Sequence, residues 1–210
     1  MTKRTNLIYH ILFFGSLWGI LELVADRLIG IPAMISRASV LTTIAIFVLV
    51  LARQVENHPG STFAIGLVAA FFKFLNVPFW GCQVFALLLL GGVFEVGFLL
   101  RNRYELRRST TALLLALLVY VDFVLFALFV RYLLQNPWWV NGGWERFWNY
   151  VGISGTLTAG FSAPAMFLGI FVAKRWRDSI MNFRIYHAAT YHFTCAVSIL
   201  LATGLSWWLR

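Results

Sequence analysis

The chain is built around long apolar runs, and runs of that length leave few folds open. An α-helix needs about 20 apolar residues to cross the hydrocarbon core of a bilayer. Seven stretches approach that length: Leu7–Ala25, Ala38–Leu51, Ser61–Val77, Phe79–Leu100, Thr111–Leu134, Trp148–Ala173 and Thr190–Leu209. The third is short and runs into Pro78. It reads as a tilted span or as a broken helix that stops within protein. The first is not a convincing signal peptide, because Glu22 interrupts it and no clear small-residue cleavage site follows.

Composition points the same way. The chain is 60% hydrophobic and 12% charged, whereas a soluble domain has about 25% charged residues. A cytosolic enzyme, a disordered chain and a disulfide scaffold all fit poorly. Cys82 and Cys195 lie in apolar runs far apart and read as small core residues. The expected fold is an all-α polytopic transmembrane helix bundle, a single integral membrane domain over residues 1–210.

The net charge of +9 would point a soluble protein toward nucleic acid. Here the basic residues sit between spans, where they set orientation and meet anionic headgroups, so no nucleic acid is expected. With a cytoplasmic N-terminus, the inside segments hold 11 Lys and Arg residues and the outside segments 5, with Lys73 left within a span. This obeys the positive-inside rule. Seven spans put the C-terminus outside, and a six-span reading moves it.

Trp80, Trp138, Trp139, Trp144, Trp148, Trp207 and Trp208 then gather at the outer interface, with Trp176 at the inner one and Trp18 within the first span. They form either an aromatic belt with lid packing or a surface with a further task. Gln135–Phe147, with Pro137, Gly142 and Gly143 among tryptophans, reads as a structured outer cap or a re-entrant segment. Lys174–Tyr186 reads as a helix lying in the inner interface.

Glu22, Lys73, Glu95 and Asp122 fall within the apolar spans. Charge at such depth is costly unless paired or hydrated, so each is a functional candidate. At about 1.5 Å of rise per residue, Lys73 and Asp122 lie roughly 17–18 Å from the cytoplasmic ends. Glu22 lies slightly further out, and Glu95 only about 8 Å in. Lys73 can therefore pair with Asp122 or Glu22, but reaches Glu95 only with difficulty. The arrangement is either a structural ion pair or a polar cavity in the outer half. Glu22 and Asp26, with Arg27 and Arg37, bring both signs to the outer mouth, as a gate or as solvated loop ends.

Small residues recur at four-residue spacing: Gly15 and Gly19, Gly66 and Ala70, and Gly155, Ala159 and Ala163. Such ridges let helix backbones approach closely. Three histidines, His10, His187 and His192, fall near the inner interface, but His187 and His192 are five apart and splay around a helix. No metal site is expected from them. No HExxH, GxSxG or glycine-rich nucleotide loop is present. Neither enzymatic activity nor a bound cofactor is expected, and energy from ATP would have to come from a partner chain.

Three stretches carry a resemblance: Phe14-Gly15-Ser16-Leu17-Trp18-Gly19-Ile20-Leu21-Glu22, then His58-Pro59-Gly60-Ser61-Thr62-Phe63-Ala64-Ile65-Gly66-Leu67-Val68-Ala69-Ala70-Phe71-Phe72-Lys73-Phe74-Leu75, then Phe94-Glu95. Mainly over its first hundred residues, the chain resembles small bacterial membrane proteins related to the substrate-binding S components of energy-coupling factor (ECF) transporters. The resemblance implies a six-helix core in the bacterial inner membrane. It also implies a vitamin or metal-ion site near the outer surface, closed by a loop at Arg27–Arg37. A small-residue face, here Gly15 and Gly19, would dock on a coupling subunit driven by ATPases. The seventh span departs from that pattern, as does glycine where alanine is typical.

The leading expectation is a solute-binding transporter component. Glu22, Lys73 and Asp122 would supply charge and Trp80, Trp138, Trp139 and Trp144 stacking surfaces for a flat, partly charged, vitamin-like solute. The alternatives are a structural or assembly subunit of a larger membrane complex, and an intramembrane enzyme acting on lipid.

Overall fold

The structure, a computed structural model, describes residues 3–28, 37–75 and 81–186. The expected seventh span at Thr190–Leu209 lies outside these residues, as do Trp80, His187, His192 and positions 29–36 of the expected gating loop. Among the described residues every regular element is helical: α1 Lys3–Leu28, α2 Arg37–Val55, α3 Ser61–Phe72 continued by a 3-10 turn at Lys73–Leu75, α4 Gly81–Tyr104 and α5 Arg108–Leu128. α5 runs into a π-helical turn at Phe129–Leu133. Two short helices follow, α6 Pro137–Asn141 and α7 Gly143–Asn149, and a second π-helical turn at Tyr150–Ser154 leads into α8 Gly155–Tyr186. Among the described residues, five helical segments are long and apolar enough to cross a membrane. Their outer faces carry large apolar side chains such as Val96, Leu113, Leu117 and Phe171, which suit lipid contact and not water. The chain is a multi-pass, all-α membrane protein.

The neighbours close a ring: α1 packs on α2, α2 on α8, α8 on α5, α5 on α4, α4 on α3, and α3 back on α1. α2 also reaches α3 and α4, and 56% of its length is buried against 33–44% for the other long segments, so it lies nearest the centre. Glycines set the closeness of the contacts around α3. A Cβ on Gly15 would meet Val68 Cβ at 2.5 Å, and one on Gly19 would meet Phe72 Cγ at 2.5 Å. One on Gly66 would meet the Leu87 carbonyl of α4 at 2.9 Å. Gly15 and Gly19 are therefore filled by α3 inside the bundle. They are not available to a coupling subunit, which corrects their expected docking role.

A buried ion pair fixes the end of the bundle nearest the N-terminus. Arg53 Nη2 lies 3.2 Å from Glu95 Oε1. Glu95 also accepts from the backbone N–H groups of Gly60 at 2.8 Å and Thr62 at 3.0 Å. It thus caps the start of α3 from a neighbouring helix, satisfying orphan donors at the positive end of the helix dipole. Arg53 donates in addition to the His58 carbonyl and to Ser61 Oγ. The turn is possible because Gly60 takes φ +83°, a left-handed conformation that suits glycine.

Two expectations for the connections meet different outcomes. Gln135–Phe147 is a structured cap, begun by Asn136, whose side chain accepts from Trp138 N. Lys174–Tyr186 is not a separate interfacial helix but the continuation of α8. No glycine or proline lies between Ile170 and Tyr186, so nothing in the chain breaks the helix there.

The packing generates a paired prediction. Gly19→Ala should cost about 1–3 kcal/mol of stability through overpacking against Phe72. Gly160→Ala, where nothing lies within 4 Å of the new Cβ, should be neutral or slightly stabilising. Thermal unfolding of both variants in detergent checks this.

Candidate functional site

At the end of the bundle away from Arg53 and Glu95, the ring encloses a cavity of about 340 Å³. Every contributing element meets it at the same end. α1 supplies Trp18 and Glu22, and α2 supplies Arg37, Ala38, Leu41 and Thr42. The turn closing α3 supplies Lys73, and α4 supplies Gln83, Ala86, Leu87 and Leu90. Asp122 and Phe126 come from α5, and Tyr150 from the second π-helical turn. The cavity lies where α3 ends. There the α-helix passes at Lys73 into a 3-10 turn.

The three charged residues singled out by depth do converge here. Lys73 Nζ lies 2.9 Å from Glu22 Oε2, and both side chains are buried. Trp18 Nε1 donates to the other Glu22 oxygen at 3.3 Å, from one helical turn earlier on α1. Lys73 thus chooses Glu22 over Asp122. Asp122 is also buried, and its Oδ1 has no hydrogen-bond partner.

Of the tryptophans expected to stack on a solute, the three among the described residues stand elsewhere. Trp139 is buried, but behind the cavity wall, with its ring 5.0 Å from Tyr150 and 6.1 Å from Phe126. Trp138 and Trp144 are exposed on the cap, where Arg146 lies 3.9 Å over the Trp138 ring and Arg131 4.9 Å over the Trp144 ring. Arg131 also donates to the Gly143 carbonyl at 2.6 Å. The Arg146 pair joins α7 to α6, and the Arg131 contacts join α7 to the π-helical turn at Phe129–Leu133. The aromatic surfaces that do line the cavity are Trp18, Phe126 and Tyr150.

Tyr150 reaches the cavity from an aromatic cluster. Its ring stacks on Phe123 at 4.9 Å and tilts against Phe126 at 5.8 Å. The π-helical turn that carries it is a wider coil than an α-helix, a form that recurs at functional sites. Trp18 was detectable in the sequence by its four-residue spacing from Glu22. Tyr150 and Gln83 carried no comparable signal.

Among the described residues no group of three or more His, Cys, Asp or Glu side chains has a geometry that could hold a metal ion. No protein-family model matches the chain, and no curated protein or solved structure matches it significantly.

The ion pair supports a double-mutant cycle. Lys73→Met leaves Glu22 buried without its counter-charge and should cost about 3–5 kcal/mol. Adding Glu22→Gln should recover most of that loss, because the uncompensated charge is then gone. Unfolding free energies of the two single variants and the double variant give the coupling. Purely additive effects would contradict it.

Proposed function

We propose that the chain is the solute-binding integral membrane component of an ECF-type transporter, and that it captures a small vitamin-like solute in the cavity between α1, α2, α4 and α5. The observation that carries this reading is the cavity itself. It is a largely apolar and aromatic hollow with a few convergent polar groups, as small-molecule sites usually are. The short α3, ending in a buried lysine beside Glu22, supports it further.

The excess of basic residues on the N-terminal side supports a cytoplasmic N-terminus, and the resemblance to ECF components is what suggests a bacterial inner membrane. The cavity then belongs to the outer half of the bundle, where an incoming solute arrives. No nucleotide-binding loop occurs in the chain, so coupling to ATP falls to a partner membrane subunit with ATPases. Gly15 and Gly19 are occupied by α3, so that partner must dock on another face.

A second reading, an assembly subunit of a larger complex, is favoured by the exposed tryptophans 138, 144 and 148 on the cap. Affinity purification from host membranes separates the two. The transporter reading expects a membrane subunit and ATPases to co-purify. It also expects Ala86→Trp, which fills the cavity, to abolish solute uptake while leaving those partners bound. An unrelated large complex as the sole companion, with Ala86→Trp silent, would favour assembly.

A further inference from the structure

We propose that the solute held in this cavity is a compact organic cation whose protonated amine docks on Asp122. The inference rests on the reading of the cavity as a solute site, and it follows from how differently the buried acids are treated. Glu95 is satisfied by Arg53, Gly60 N and Thr62 N. Glu22 is satisfied by Lys73 and Trp18. Asp122 is as deeply buried, lines the cavity, and has an oxygen with no hydrogen-bond partner. Among the described residues no ion pair reaches it.

The other charges on the cavity wall do not answer it. Glu22 and Lys73 cancel one another, and Arg37 is exposed at the start of α2. A carboxyl left this way in an apolar bundle is costly to ionise, and a cation docked beside it is what makes the ionised form favourable. A ligand ammonium supplies the counter-charge and the N–H donors together, in a charge-assisted bond.

The remaining wall suits the rest of such a molecule. Trp18, Phe126 and Tyr150 offer ring surfaces that attract a cation and receive an apolar or aromatic body. An anionic head in the same place would face the Asp122 and Glu22 carboxylates, with Lys73 already engaged.

The test uses three near-isosteric probes on the full chain in lipid nanodiscs: 2-phenylethylamine, 2-phenylethanol and phenylacetate. Calorimetric titration near neutral pH should show the amine binding at least tenfold tighter than the alcohol and phenylacetate not binding. Asp122→Asn should erase the preference for the amine while unfolding at or above the wild-type temperature. The ranking on the wild-type chain stands by itself if that variant fails to fold. Equal binding of amine and alcohol, or tighter binding of phenylacetate, would overturn the cation while leaving a solute site. Silence from all three probes would also overturn it. The solute-site reading is then judged separately, by whether wild type retains a host solute that Ala86→Trp loses.

Discussion

Ionised side chains inside an apolar bundle must find partners, and this requirement organises the molecule. At one end Glu95 gathers Arg53 and the first amides of α3, so three elements meet at one carboxylate. At the other end Lys73 closes on Glu22 and ties the last turn of α3 to α1. Each pair joins residues more than forty positions apart in the chain. Each would cost several kcal/mol if one partner were lost. Helix α3 is thus held by charge at both ends, and by glycine contacts along its length.

Those glycine contacts explain how a short helix serves in a ring of longer ones. Gly15 and Gly19 let α1 lie close on α3, and Gly66 meets Gly91 Cα within 3.3 Å of its would-be Cβ on the α4 side. Close backbone approach is the usual means of joining helices in lipid, where the hydrophobic effect offers no drive. At Lys73 the α-helix gives way to a 3-10 turn, and the cavity lies at that level, lined by the neighbouring helices α1, α2, α4 and α5.

Much of this was legible in the sequence. Apolar run length located α1, α2, α4 and α5 to within a few residues, and Pro137 with the paired glycines marked the cap. Depth arithmetic brought Glu22, Lys73 and Asp122 to one level, because helical rise is regular. What depth does not encode is direction around the helix axis. Trp138, Trp139 and Trp144 stand at a plausible depth, yet arginines and other rings in the cap and the cavity wall claim them. The Gly15 and Gly19 spacing reports close approach but does not name the helix that approaches. The role of Glu95 as a cap for α3 is not legible in the sequence, since it exists only once α4 lies beside the turn.

We read the space around Lys73, Glu22 and Asp122 as a binding site and not as a packing defect. Native mass spectrometry of the chain, extracted gently from its own host membrane, tests it most directly, because it weighs protein and retained ligand together. A binding site should show a small-molecule adduct that survives extraction and disappears in the Ala86→Trp variant. A bare chain in every preparation, or an adduct indifferent to that substitution, would contradict it.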